Sequence, residues 1–192
     1  MHFIKNIKFY NGIIAFLALL FIPLSAQAHI DLLSPKPLLG GVEGVNALKA
    51  APFGAPDVDI SSAEATVVKS GSEIELEISV FIYHPGDIAV LYTTDMSGAD
   101  VEPVYEIASI DAAVTHNNLL AKVITPCPLA ECRSGRTGAS TFKIMVQLPQ
   151  ITDDVILVVR QIMTDKLDHE DDGTVGLGRV YYHQAAKLHL VP

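Results

Sequence analysis

The chain of 192 residues has no tryptophan and only two cysteines. Without Trp, one common platform for stacking sugar rings is missing. Two cysteines can pin a turn but cannot hold up the fold. Basic residues are also scarce, 13 Lys+Arg against 22 Asp+Glu, for a net charge of −9. No basic patch stands out, so nucleic acid is not an expected partner. No G-x-S-x-G elbow occurs, and no Ser or Cys is set beside a base, which argues against a nucleophilic hydrolase. After residue 29 no stretch keeps a helical 3.6-residue period over three turns. What is present is apolar: 49% hydrophobic and 18% charged residues, a globular composition outside the disordered and collagenous classes.

Much of that apolar character is concentrated near the start. Residues 1–10 carry Lys5 and Lys8 and no acid, residues 12–22 are unbroken apolar, and Pro23-Leu24-Ser25-Ala26-Gln27-Ala28 follows. A basic segment, an apolar run and an A-x-A site make a secretory signal peptide. The run is too short to span about 30 Å of hydrocarbon. Cleavage is expected after Ala28, giving an exported product, periplasmic or secreted, with no membrane anchor. Residues 29–192 are then one domain, more acidic than the whole chain. Export makes a disulfide the expected state of Cys127 and Cys132. So short a loop contributes only about 2 kcal/mol in the chain-entropy model.

The remainder reads as strands. Residues 73–80 alternate acid and aliphatic, so one face is buried and one is wet. Residues 141–148 alternate again, with Phe142, Ile144, Val146 and Leu148 on one side. Residues 88–93, 121–125, 155–161 and 180–190 are further candidates, separated by Gly, Pro, Asp and Asn clusters. Seven or so strands predict an all-β fold: an immunoglobulin- or fibronectin-like antiparallel β-sandwich with long loops. Residues 40–62, rich in Gly, Pro and Ala, are the longest of those loops, and long loops on a rigid scaffold often carry function.

Cleavage after Ala28 exposes His29 as the first residue. Its α-amine and ring Nδ1 can chelate one metal ion together, because the amine loses its proton far more readily than a lysine. Nitrogen donors suit Cu(II). A third nitrogen from another His would complete the set. His84, in Tyr83-His84-Pro85-Gly86, shares parity with Ile74, Leu76, Ile78 and Val80. By itself His84 reads as a satisfied histidine in the turn before Pro85. In Tyr181-Tyr182-His183-Gln184, Tyr181 and His183 share one face of the last strand, Tyr182 and Gln184 the other.

Together these features resemble the lytic polysaccharide monooxygenases and, more closely, a bacterial group of monooxygenase-like proteins. The resemblance is carried by His29 followed by Leu33-Ser34-Pro35, and by His84-Pro85-Gly86 followed by Ile88-Ala89-Val90-Leu91. Residues 148–163 resemble the penultimate strand of that family, and Tyr181-Tyr182 the aromatic pair opening its last strand. The resemblance covers most of residues 29–191. It implies a histidine brace in which His29 and His84 hold one copper ion, with Tyr181 on the axial side, or Tyr182 if a bulge shifts the strand by one residue. His183 is then a candidate hydrogen-bonding group beside the oxygen-binding position, against the alternative of a surface histidine. The implied activity is C–H oxidation of a polysaccharide with O₂ or H₂O₂. The implied partners are the glycan and an electron donor or copper-delivery protein, and a monomer is expected. Where such relatives carry a further pair of cysteines, this chain has Ala51-Pro52-Phe53-Gly54 and His183-Gln184-Ala185. The competing reading is a periplasmic copper carrier without turnover.

The acidic stretch from Asp165 to Gly173 fits neither reading. Counting from Asp168, acids fall at loop positions 1, 3 and 5 with Gly at 6, but position 12 is Arg179 where an EF-hand needs a bidentate Glu. The stretch reads as a solvated acidic loop.

Overall fold

The computed structural model describes residues 30–39, 53–54, 58–98, 101, 118–126, 136–166 and 181–192. Eight strands run through them: β1 (Ile30–Ser34), β2 (Thr66–Lys69), β3 (Glu73–Tyr83), β4 (Gly86–Thr93), β5 (Leu119–Ile124), β6 (Arg136–Gln147), β7 (Asp154–Met163) and β8 (Tyr181–Val191). They form a three-stranded sheet, β1-β3-β6, and a five-stranded sheet, β2-β8-β7-β4-β5. Residues 1–28, expected to be a signal segment, lie outside the described residues, as do Cys127 and Cys132.

The alternation read in β3 and β6 sets the smaller sheet. Leu76 pairs with Ile144 and Ile78 with Phe142. Their apolar side chains, with Ile30 and Leu32 of β1, face the larger sheet and pack in one core with Ile88, Val90, Leu157, Val159, Tyr182, Ala186 and Leu188. The acidic positions face outward, where Lys143 pairs with Glu75 at 2.6 Å. The two-sheet sandwich is therefore the architecture the patterning predicts.

Two features depart from that expectation. Short β1 and β2 lie outside the strands predicted from periodicity, because four or five residues give too few alternations to register. And β2 pairs parallel with β8, Thr66 opposite Leu188 and Lys69 opposite Val191, so the sheet is not wholly antiparallel.

The centre of the larger sheet is also covered on both faces. From Val155 to Met163 every residue of β7 is buried. Val155, Leu157, Val159 and Met163 face inward. Ile156, Val158 and Ile162 face outward and pack with Tyr181 and Ala185 beneath Phe53, Ile60 and Val101. Burial on both faces explains why β7 opens with a continuous apolar run, residues 155–159, rather than an alternating one.

Candidate metal centre at one end of the sandwich

Five chain segments meet at one end of the molecule. β1 begins with Ile30 opposite Val80, near the end of β3. β3 ends at Tyr83, and the chain crosses through His84 and Pro85 into β4. β7 ends with Met163 opposite Gly86, and β8 begins with Tyr181 opposite Ile162. His29 directly precedes Ile30 in the sequence but lies outside the described residues.

The crossing turn is clamped from both sides. Thr164 donates to the Pro85 carbonyl through its backbone N–H at 2.8 Å and through its hydroxyl at 2.9 Å. Thr125 N–H donates to the Gly86 carbonyl at 2.9 Å. Gly86 has φ of 142°, and a Cβ there would collide with the Ile162 carbonyl oxygen. The glycine of His84-Pro85-Gly86 is thus required by the approach of β4 to β7.

His84 is 3% exposed. Its Nδ1 lies 2.8 Å from Asp165 Oδ2, in the 3-10 turn Thr164–Lys166 that follows β7. An ionised carboxylate only accepts, so Nδ1 carries the hydrogen, and in the neutral ring Nε2 carries the lone pair. A carboxylate behind an imidazole in this way orients metal-binding histidines and raises their basicity. Asp165 corrects the sequence reading. It is not part of a solvated loop: its side chain is 17% exposed and it pairs with a residue 81 positions away. No local pattern announces such a contact. The rest of the acidic stretch, from Asp168 onward, lies outside the described residues.

The two tyrosines divide across the larger sheet. Tyr182 is in the core between the sheets with Ile30 and Leu32. Burial pushes its phenol pKa up to about 12. Tyr181 belongs to the outer cluster, where the Arg160 guanidinium carbon stands 5.6 Å from its ring centroid and the His183 ring meets it edge-on at 6.1 Å. Arg160 is fully buried. It donates from Nη2 to the Val101 carbonyl and from Nε to His183 Nδ1 at 3.5 Å. Burial, and then the neighbouring guanidinium, hold the His183 pKa down to about 3. His183 is therefore a neutral, buried ring rather than a surface histidine.

A further carboxyl, Asp31, sits two residues after His29. It is buried opposite Ser79, and desolvation raises its pKa. Sequence reading passed over both Asp31 and Arg160. Among the described residues, no group of three or more His, Cys, Asp or Glu side chains converges as a ready metal site. His84 with Asp165 supplies one oriented nitrogen donor and its support.

No protein-family model matches the chain, and no curated protein matches it. Solved structures do. A chitin-binding domain from Burkholderia pseudomallei has 13% identity and a TM-score of 0.40, over 69% of this chain and 59% of that one. A cellulose-active lytic polysaccharide monooxygenase in complex with copper has 17% identity and a TM-score of 0.39, over 68% of this chain and 55% of that one. A lytic polysaccharide monooxygenase from Thermobia domestica in the Cu(I) state has 15% identity and a TM-score of 0.39, over 81% and 69%. The chain thus spans less than two thirds of the first two neighbours. At these values the fold rests on the strand order, and the chemistry on the residues.

Proposed function

We propose that this is an exported copper protein with an N-terminal histidine brace, acting as a polysaccharide-monooxygenase-like enzyme. The observation that carries the reading is the buried His84, backed by Asp165 at the end of the sandwich where β1 begins. His29 supplies its α-amine and ring and His84 its Nε2, a three-nitrogen donor set suited to one copper ion. Copper held there supplies one-electron redox chemistry toward O₂ or H₂O₂. The protein's own part is orientation. Asp165 fixes the His84 ring by accepting from Nδ1, and Thr164 fixes the turn by donating to Pro85.

For the tyrosine that would lie beside a copper held by His29 and His84, the reading moves from Tyr181 to its alternative, Tyr182. What favours Tyr182 is the core it shares with Ile30 and Leu32, the residues that follow His29. Tyr181 and His183 are engaged with Arg160 on the opposite face. On that reading His183 supports the outer layer rather than the oxygen side. Cys127 and Cys132 remain a proposed disulfide that pins their loop. The substrate class proposed is a neutral polysaccharide, since residues 29–192, without Lys5 and Lys8, are more acidic than the −9 of the whole chain and repel anionic polymers at low salt.

The alternative, a copper carrier, uses the same donors but shields the metal. Reductant-dependent peroxide turnover separates the two. An enzyme, loaded with one copper, turns over peroxide and loses that turnover in His84→Ala. A carrier loaded equally well shows turnover no higher than His84→Ala, and that result overturns the enzymatic reading.

A further inference from the structure

Among the described residues, the inward faces of β7 and β8 are apolar except for the Tyr182 hydroxyl and two carboxamides. Gln161 lies between Val159 and Met163 on the inward face of β7, and Gln184 between Tyr182 and Ala186 on the inward face of β8. Gln161 is fully buried and Gln184 is 2% exposed. Register places them side by side. Gln161 is opposite Tyr182 and Val159 is opposite Gln184, so the two glutamines are diagonal neighbours on one face. On its other side Gln161 is opposite Ile88, which offers no polar group.

Each carboxamide has two N–H donors and a carbonyl oxygen that accepts twice. Among the described residues, neither the Oε1 nor the Nε2 of either glutamine has a hydrogen-bond partner. Four such atoms in a dry core are strongly unfavourable, and buried polar groups in folded proteins are satisfied by protein or by ordered water. An internal water makes about three hydrogen bonds to groups of this kind. Diagonal neighbours on adjacent strands stand about 7–8 Å apart at the backbone, a separation that two inward-pointing amides and one water can bridge.

We propose that Gln161 and Gln184 form an internal water site between the sheets, with one water bridging the two carboxamides beside the Tyr182 ring. The site is a property of the fold and does not depend on copper. It makes the tyrosine end of the core a polar, hydrated cell inside an otherwise aliphatic sandwich.

The test uses the metal-free protein. A high-resolution crystal structure is expected to show a water within hydrogen-bond distance of both carboxamides. Solution NMR is expected to show water cross-relaxation at the side-chain NH₂ groups of both. In thermal unfolding, Gln161→Leu and Gln184→Leu each lower Tm, while the double variant recovers most of the loss because amides and water leave together. Carboxamides bonded directly to each other or to Tyr182, with no solvent cross-relaxation, would overturn the proposal. Strictly additive losses would do the same. The first two readouts use the unaltered chain and stand even if a variant does not fold.

Discussion

Tyr181 and Tyr182 are joined by one peptide bond yet belong to different chemical layers. On the outer face, Tyr181 packs with Arg160 and His183 beneath loop residues such as Phe53 and Ile60. On the inner face, Tyr182 packs with β1 and flanks the two buried glutamines. The outer layer holds a fixed charge and a neutral imidazole; among the described residues, the inward positions of β7 and β8 hold no charged side chain. In a strand buried on both sides, chain parity alone decides which environment a side chain enters. A one-residue difference in assignment therefore exchanges a residue beside the proposed copper for one that braces the outer layer.

The largest expected effect is on the outer face. Arg160→Ala removes a buried guanidinium from the Val101 carbonyl, His183 and the Tyr181 ring, and should cost roughly 3–5 kcal/mol of stability. Urea unfolding measures it. Copper affinity of the folded fraction should be retained, and its loss would mean that the two faces are not separable.

Gly86→Ala acts on the end of the sandwich instead. The added methyl meets the Ile162 carbonyl at a φ that other residues rarely adopt. A loss of about 2–3 kcal/mol is expected, together with weaker copper binding, because the turn that carries His84 must shift. Calorimetry on the same variant measures both.

A third difference is in pH. The folded-state pKa of His183 is about 3, below the unfolded value of about 6.5. Between those values the unfolded chain binds the extra proton, so this residue's contribution is lost as pH falls from about 6.5 towards 3. His183→Gln should flatten that part of the stability profile relative to the parent chain. Equal slopes would show that the ring is not held neutral.

The smallest effect on stability is expected from the tyrosine hydroxyls. Tyr182→Phe should alter the copper EPR spectrum and Tyr181→Phe should leave it unchanged. The reverse outcome would return the axial position to Tyr181.

The sandwich itself was legible because β3 and β6 each have one wet face, which writes a period of two into the sequence. β7 was legible as a strand but not as a two-sided one, since its cover comes from distant loop residues. β1 and β2 escaped because they are short. At the site, His84 could be singled out from its neighbours Pro85 and Gly86. Asp165 could not, because its role depends on β7 delivering it to a turn far away in sequence. Arg160 was hidden for the same reason: it meets His183, which the sequence did single out, only once β7 and β8 pair.

The central claim is that His29 and His84 hold copper together. It is tested most directly by copper EPR with a binding titration on protein beginning at His29, beside the same protein carrying one added residue before His29. The account predicts tight binding with an axial three-nitrogen signal in the first, lost in the second. Equal, weak binding in both would contradict it and leave His84 and Asp165 as a structural pair at the end of the sandwich.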